Sequence, residues 1–242
     1  MNNTILEKML FIDIETTTQH PSISECTDEK FKEIFRRRFA KEIAELGEEE
    51  AYNVKGPIYP EIGKIICISI GMIKLKSPDL GQFFTKSFVG TEQEILAGLL
   101  SLRQIVDWDK PGPVDAKCIL SGHNLLNFDI PYIAKRIIIN KFKLPAIFNL
   151  MGKKPWDIKH VIDTKELWKM GVFDGASNSA LDTLSWAFGI QSPKDDISGK
   201  DVKDVYWKTG DIPRIATYCE KDIFSQAEVY INMIGSDLKI VR

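Results

Sequence analysis

A chain of 242 residues is long enough for one large domain or two small ones. Its content of 44% hydrophobic and 27% charged residues is that of an ordinary soluble globular protein. The net charge of −2 argues against a protein that coats DNA through a global basic field. It is compatible with an enzyme that holds nucleic acid in a local groove.

The four cysteines are far apart in the sequence and form no CxxC pair, which argues against a zinc site or a disulfide scaffold. They are Cys26, Cys67, Cys118 and Cys219. We expect buried free thiols in a reducing compartment. The N-terminal residues lack the pattern of a signal peptide, and the longest apolar stretch, at 65–73, is too short to cross a bilayer. A cytoplasmic protein without a membrane segment is therefore expected.

Apolar runs bounded by turn residues predict four strands. The first is at 9–14, and the second and third, at 64–74 and 82–89, are separated by a turn around Ser77-Pro78-Asp79. A break at Pro111-Gly112-Pro113 precedes the fourth, at 117–121.

A charged helix is predicted at 27–47, as an insertion between the first and second strands. Its apolar residues recur at spacings of four and three and are Phe31, Phe35, Phe39, Ile43 and Leu46. Gly47 suits its C-terminal end. The opposite face is basic and contains Lys32, Arg36, Arg37 and Lys41. A solvated face is the ordinary explanation for such charges.

Five further helices are predicted, at 91–106, 131–141, 164–170, 180–188 and 212–234. Thr91 and Glu94 form a capping box at the start of the first of them. Three strands followed by alternating strands and helices predict an α/β fold with a mixed central β-sheet flanked by α-helices. Because the sequence shows no repeat, low-complexity tract or convincing linker, we expect residues 1–242 to form a single domain.

Asp13 and Glu15 interrupt the apolar first strand. Residues i and i+2 of a strand point to the same face, so both carboxylates should project together from its end. A D-x-E pair is expected about once by chance in a chain of this length, and a solvent-facing pair is the alternative. An unpaired charge inside an apolar strand would be costly, which favours a functional explanation.

Asp129 belongs to the segment HNLLNFDIP, which follows a strand and opens a helix. Pro131 suits a first helical turn, which places Asp129 at or just before the helix N-terminus. Taken alone, this position favours an N-cap role, because Asp is a preferred capping residue.

Tyr218 and Asp222 lie four residues apart in the last helix and therefore share one face. The alternative is a tyrosine at the edge of the core with an exposed aspartate. Each cluster alone has an ordinary structural explanation, but the three together favour a functional site. Convergent carboxylates repel one another unless cations lie between them, so the pattern predicts a catalytic metal site.

The segments FIDIETT, HNLLNFDIP and YCEKD resemble, in order and spacing, the three motifs of DEDDy 3′–5′ exonucleases. The likeness is greatest to the proofreading exonuclease domain of family B DNA polymerases in its stand-alone form, and it runs from about residue 10 to residue 230. The histidine-bearing subclass is disfavoured, because Thr217 occupies the position where that subclass has histidine.

The resemblance implies a ribonuclease H-like fold, two divalent metal ions, and release of nucleoside 5′-monophosphates from a 3′ end, with single-stranded DNA as the partner. By motif, the metal-binding quartet is Asp13, Glu15, Asp129 and Asp222, and Tyr218 resembles the water-positioning tyrosine. Oxygen ligands suit Mg²⁺ or Mn²⁺ better than zinc, and two such ions would neutralise four carboxylates.

Substrate contacts are also implied by the resemblance. Thr16 and Thr17 match positions near the terminal nucleotide, while Asn124 and Phe128 are candidates for contact with the last sugar or base. Core packing is at least as good an explanation for Phe128.

Other polar residues near these motifs have ordinary explanations. We interpret His123 as structural, Asp163 as a helix cap that forms a capping box with Glu166, and the lysines of the 192–203 loop as solvated. The basic residues of the 27–47 helix, which are Arg36, Arg37, Arg38 and Lys41, would guide a strand inward if they lie near the site.

Two alternatives remain open from the sequence. The first is an exoribonuclease with the same site, because nothing in the sequence reads the 2′-hydroxyl group. The second is a non-catalytic nucleic-acid-binding module with a vestigial site, although such a module gains nothing from four mutually repelling acids.

Overall fold

The computed structural model describes residues 3–104, 106, 108, 118–172, 179–191 and 196–242. The predicted break at Pro111-Gly112-Pro113, the strand residue Lys117 and the loop residue Lys194 lie outside these described residues.

The described residues contain six strands that form one mixed sheet. In chain order they are β1 (Met9–Thr18), β2 (Gly63–Ser77), β3 (Leu80–Val89), β4 (Ile119–Gly122), β5 (Val161–Asp163) and β6 (Lys239–Val241). Their order across the sheet is β5-β4-β1-β2-β3-β6. The pairs β1–β2 and β2–β3 are antiparallel, and the other three pairs are parallel. The predicted mixed sheet is confirmed. β5 and β6 were not predicted, because three residues are too few to show a period.

β1 lies inside the sheet and is buried on both faces. Leu10 and Ile12 pack into a core formed with helices on one side, and Met9 and Phe11 pack into a second core on the other. A strand covered on both faces has a nearly continuous apolar sequence, which explains its clear signal. The acidic pair was predicted at the end of the strand. This is wrong, because the strand continues to Thr18 and the pair lies within it.

Helices cover both faces of the sheet. They are α1 (Glu29–Arg38), α2 (Ala40–Leu46), α3 (Glu48–Lys55), α4 (Glu92–Ser101), α5 (Asp129–Ile139), α6 (Thr164–Trp168), α7 (Leu181–Ala187), α8 (Val202–Asp204) and α9 (Ile212–Met233). α4 and α5 pack on one face, and α9 packs on the other. The predicted capping box of Thr91 and Glu94 is present. The predicted helix at 91–106 is shorter, because it changes to a 3₁₀ turn at Leu102–Gln104.

Two expectations from composition can also be compared with the structure. Among the described residues, no helix is long and apolar enough to span a membrane. All four cysteines are buried and free, as predicted.

The single helix predicted at 27–47 is wrong in its length and continuity. Phe39 has a non-helical backbone that separates α1 from α2, and Gly47, with a φ of 83°, separates α2 from α3. The rings of Phe35 and Phe39 form a small core with Tyr52 of α3, which explains why three short helices replace one straight helix. Leu46, predicted on the apolar face, is 48% exposed.

The basic face of this insertion is partly used within the protein. The Nε atom of Arg36 in α1 lies 2.6 Å from a carboxylate oxygen of Glu48, the first residue of α3. The guanidinium of Arg38 lies 4.9 Å from the centre of the Tyr59 ring. These two arginines therefore stabilise the insertion itself.

A buried ion pair joins α4 to α5. The Arg136 guanidinium donates to both carboxylate oxygens of Glu92, with Nε 2.7 Å from Oε1, and its Nη1 donates to the carbonyl of Pro60 at 2.7 Å. Glu92 also accepts from the backbone N–H of Ile65 in β2 at 2.8 Å and from the amide of Asn140 at 2.9 Å. The two charged side chains are only 6% and 10% exposed. One pair of charges therefore connects two helices to the start of β2.

Arg136→Met should destabilise the fold strongly, because it leaves the Glu92 charge buried without its cation. We expect the free energy of unfolding in urea to fall by about 3–5 kcal/mol. The control is Lys208→Met, which removes an ion pair with Asp204 whose side chains are 71% and 60% exposed. That loss should be below about 1 kcal/mol. Equal losses in the two variants would contradict this role for the buried pair.

Candidate active site

The first acidic cluster lies in the middle of β1. Asp13 is paired across the sheet with Ser69, and Glu15 with Cys67. The register shifts between Glu15 and Thr16, which is a β-bulge. Bulges bend a strand and re-aim its side chains, and they are common next to active sites. The two acids therefore follow one pairing register with β2, and the residues from Thr16 onward follow another.

Asp129 joins this cluster through the backbone of β1. It is the first residue of α5 and is 4% exposed. Its Oδ1 accepts the N–H of Ile14 at 3.2 Å, between the two acids of the first cluster. The N-cap position of α5 belongs to Phe128, so the capping role favoured for Asp129 alone is wrong.

α9 brings the third cluster to the same point. The amide Nε2 of Gln226 donates to Oδ1 of Asp13 at 2.9 Å, and Sγ of Cys219 lies 3.5 Å from Oδ2 of Asp13. Tyr218 is 6% exposed and forms a side-chain hydrogen bond with Asp222, which is 9% exposed. The alternative of an exposed aspartate on this helix is therefore excluded.

Burial and mutual repulsion disfavour the ionised forms of these acids. Burial raises the pKa of Asp13 from 3.8 to about 6, although hydrogen bonds from Cys219 and Gln226 oppose the shift. Burial also raises the pKa of Glu15 and of Asp129, and the charge of Asp13 raises both further. The charge of Asp222 contributes at Glu15, which shows that the acids of all three clusters act on one another.

The hydroxyl group of Tyr218 is held in its protonated form. Burial raises the pKa of Tyr218 well above its usual value near 10, and the charges of Asp222, Glu15 and Asp13 raise it further. The side chain can therefore act as a hydrogen-bonding group at neutral pH but not as a base.

The donor set fits a divalent cation. The charges of Asp13, Asp129 and Asp222 raise the pKa of Glu15, so the cluster needs positive charge, and carboxylate oxygens are the ligands that Mg²⁺ and Mn²⁺ prefer. One ligand atom each from Asp13, Glu15 and Cys219 lie within 4.8 Å of one another. Burial raises the pKa of Cys219 well above its usual value, so its protonated thiol donates to Asp13 and the carboxylates remain the candidate ligands.

The predicted substrate contacts differ in their exposure. Thr16 is partly exposed and lines an open groove beside β1. Thr17 is fully buried, and its position near the terminal nucleotide stays a prediction. Asn124 is partly exposed, with a φ of 66°, and its Oδ1 accepts from Nζ of Lys165 at 3.2 Å. Phe128 is half-buried against the Tyr132 ring, as its core-packing alternative predicts.

Asp163 has a larger structural role than the predicted helix cap. It does cap α6, because Oδ1 accepts the N–H of Lys165 at 3.0 Å. Its two carboxylate oxygens also accept the backbone N–H groups of Asn124 and Leu126, both at 2.9 Å. Asp163 therefore fixes the loop that presents Asp129. Glu166, the predicted partner in a capping box, instead forms an ion pair with Lys169 at 2.7 Å.

Gln226 is a site residue that the sequence interpretation missed. It follows Tyr218 and Asp222 at the same spacing of four, so it shares their helix face. Its side chain is 1% exposed and bonded to Asp13. The sequence contained a signal for this residue, because Gln226 is polar and lies four positions after Asp222, as Asp222 lies four after Tyr218.

His123 was predicted to be structural and Lys203 to be solvated, and only the first prediction is confirmed. His123 is structural as predicted, since its ring nitrogens bond Thr164 at 3.0 Å and the carbonyl of Ser179 at 2.9 Å. Burial lowers its pKa. Lys203 is not the solvated lysine that was predicted, because it is half-buried and donates to Asn53 of α3.

Comparison with solved structures identifies the class of fold. The family B DNA polymerase of the hyperthermophilic archaeon Pyrobaculum calidifontis superposes with a TM-score of 0.53 and 14% identity, over 95% of this chain and 25% of the polymerase chain. The chain therefore spans about a quarter of the length of that polymerase. At this identity the likeness shows the fold alone, and it confirms the predicted ribonuclease H-like, mixed α/β class.

Two other comparisons add less. Exonuclease I of E. coli, solved in complex with a dT13 oligonucleotide, superposes with a TM-score of 0.42 and 12% identity, over 93% of this chain and 40% of the exonuclease. No curated protein matches the chain.

A family match identifies the chain more closely. Residues 68–237 match a family described as a predicted 3′–5′ exonuclease related to the exonuclease domain of PolB. The match covers more than half of the chain and includes Asp129, Tyr218 and Asp222, whereas Asp13 and Glu15 precede it. The chain belongs to this exonuclease family, and the resemblance found in its motifs is confirmed.

The raised pKa of Asp13 predicts a specific pH dependence of stability in the metal-free protein. The folded state binds this proton more tightly than the unfolded chain, so the resulting stability is present at low pH and is lost as the pH rises through about 6. Asp13→Asn should therefore gain stability relative to the wild type between about pH 4 and pH 8, by on the order of 1–3 kcal/mol. Urea unfolding in EDTA measures the difference. A difference that does not change with pH would contradict the raised pKa.

Proposed function

We propose that this chain is a metal-dependent DEDDy 3′–5′ exonuclease that releases nucleoside 5′-monophosphates from single-stranded DNA by a two-metal-ion mechanism. The observation that carries the proposal is the convergence of the acids on Glu15, where the charges of Asp13, Asp129 and Asp222 all act, with Tyr218 bonded to Asp222. Membership of the exonuclease family supports the same activity. We further propose that residues 1–242 act as one domain.

The four carboxylates would hold the divalent cations, either Mg²⁺ or Mn²⁺. When bound, these cations supply the positive charge that stabilises a transferring phosphoryl group and lowers the pKa of a water molecule. The chain contributes the rigidity of the ligands. Asp13 is held by Gln226, and Asp129 by the backbone of β1, so two of the carboxylates are oriented by hydrogen bonds before any cation binds.

Tyr218 would orient the attacking water. Its hydroxyl group is protonated at neutral pH, and its hydrogen bond to Asp222 fixes the direction in which it points. A hydroxyl held in this way can bind and align water without removing its proton. The division of labour is therefore between acids that hold cations and a tyrosine that positions the nucleophile.

A single assay tests the proposal against its alternatives. Labelled single-stranded DNA and RNA are incubated with Mg²⁺ or Mn²⁺, beside Asp13→Asn as the control. Monophosphate release from DNA, lost in Asp13→Asn, is the expected result. Faster release from RNA would indicate an exoribonuclease, and no release from either substrate would favour a binding module with a vestigial site.

Metal binding has a readout that does not depend on activity. A ligand that binds only the folded state raises the melting temperature. Mn²⁺ should therefore raise the melting temperature of the wild type, and Asp13→Asn should reduce the rise. An equal rise in both proteins would place the cation elsewhere.

Tyr218→Phe should retain metal binding and lose about a hundredfold in turnover, because only the water-positioning hydroxyl is removed. The Mn²⁺-dependent rise in melting temperature should remain. Tyr230→Phe is a matched control, since Tyr230 is also on α9 and is likewise 6% exposed, but it belongs to the core that contains Ile231. Unchanged turnover in Tyr218→Phe, or an equal loss in both variants, would contradict the assigned role.

A further inference from the structure

A row of polar side chains crosses the sheet beneath α9. Asp13, Ser69 and Ser87 lie opposite one another on β1, β2 and β3, so their side chains point to the same face. That face also holds Phe11 and Phe83, which pack in the core that α9 completes. Ser69 is fully buried and interrupts the apolar sequence of β2, as Asp13 interrupts that of β1. A buried hydroxyl group in such a layer needs hydrogen-bond partners.

The partners of Ser69 form a continuous network that begins and ends on α9. Oγ of Ser69 lies 2.8 Å from Oγ of Ser87, which donates to Oε1 of Glu220 at 2.6 Å. On its other side, Oγ of Ser69 lies 3.7 Å from Sγ of Cys67, whose side chain is hydrogen-bonded to that of Cys219. Glu220 directly follows Cys219, so this serine network leaves α9 at one residue and returns to it at the next.

The serine network is directional, whereas the packing around it is not. Each hydroxyl group has a single proton. Because Ser87 donates to the carboxylate of Glu220, it accepts from Ser69, which in turn accepts from the thiol of Cys67. Hydrogen bonds weaken steeply when their angle changes, and apolar contacts do not depend on direction. The network therefore fixes the rotation of α9 on the sheet more closely than the core does.

The network lies at the part of α9 that contains the site residues. Tyr218 directly precedes Cys219, and Asp222 lies two positions after Glu220. The thiol of Cys219 also donates to Oδ2 of Asp13 at 3.5 Å, so the network contacts the acids of β1 as well. A small rotation of α9 would move Tyr218 and Asp222 relative to those acids.

We propose that Ser69, Ser87 and Glu220 are positioning residues, which hold α9 at the rotation that the site requires. In this role they place Tyr218 and Asp222 opposite the acids of β1. The inference rests on the proposed function and extends its site to β2 and β3, whose residues are not among the candidate ligands. It also explains why a buried serine interrupts an apolar strand.

Substitutions at Ser87 test the middle of the network. Ser87→Ala removes the link, and Ser87→Thr keeps the hydroxyl group in a residue that suits a strand. The matched control is Ser121→Ala, since Ser121 is a fully buried serine of β4 without a hydrogen-bond partner among the described residues. The readout is the Mn²⁺ concentration that gives half of the full rise in melting temperature. It should increase about tenfold in Ser87→Ala alone, because the candidate ligands lie on both β1 and α9.

Turnover gives a second readout, which a general loss of stability would not reproduce. At saturating Mn²⁺, kcat on a labelled oligodeoxythymidylate should fall about tenfold in Ser87→Ala, while KM stays unchanged. In a Tyr218→Phe background, Ser87→Ala should cost little more in kcat, because the hydroxyl group that it misplaces is already absent.

Glu220→Leu tests the outer end of the network, where the side chain is partly exposed and folding is less at risk. Glu228→Leu is its control, since Glu228 is another partly exposed glutamate of α9. The Mn²⁺ concentration for half of the rise in melting temperature should increase only in Glu220→Leu. Melting temperatures in EDTA check that both variants are folded.

These outcomes separate the two proposals. An inactive wild type whose Mn²⁺ requirement increases in Ser87→Ala and not in Ser87→Thr would remove the proposed function and keep the positioning role. An active wild type whose Mn²⁺ requirement and turnover are unchanged in Ser87→Ala would keep the function and remove the positioning role. Equal changes in Ser87→Ala and Ser121→Ala would also remove it, because the loss of any buried hydroxyl group would then have the same effect.

Discussion

The candidate site depends on holding the charges of Asp13, Asp129 and Asp222 close enough to Glu15 to act on it. Burial alone raises the pKa of a carboxyl group, and neighbouring negative charges raise it further, as at Glu15 and Asp129. The fold opposes this with fixed donors, a backbone N–H for Asp129 and an amide for Asp13. One donor belongs to β1 itself and the other to α9, which packs on the face of the sheet opposite α5. The surrounding three-layer architecture is therefore what makes such a cluster tolerable.

The short length of β4 explains how Asp129 reaches the cluster. The last pair between β1 and β4 is Phe11 with Ser121, and β4 ends at Gly122. The N–H of Ile14 lies beyond that pair, where Asp129 accepts it in place of a neighbouring strand. A Cβ atom on Gly122 would lie 3.0 Å from the carbonyl oxygen of Ile12, closer than most Cβ contacts, so glycine favours the close approach of the two strands there. Asp163 then holds the turning loop by two backbone N–H groups.

The elements that could be predicted well from the sequence are those whose pattern lies within a few neighbouring residues. β1 is covered on both faces and has an unbroken apolar run, and α9 contains its site residues at a regular helical spacing. The failures come from tertiary contacts. Asp129 by itself resembles a cap, because its real partner is 115 positions away. The break at Phe39 arises from a ring that packs against Phe35 and Tyr59, and no helix propensity reveals that preference.

The family match covers only part of the candidate site. The match begins at Ile68, so β1 and the three inserted helices lie outside it, although β1 contains half of the acidic quartet. Under the proposed function, the acids of β1 are metal ligands, and removing one would leave the others without a complete ligand set. The inserted helices carry no such constraint. The described contacts join α3 to α8 through Asn53, which accepts from Lys203. Under the proposed function hydrolysis depends on the carboxylates, so the inserted helices could differ between related chains without a change in the reaction.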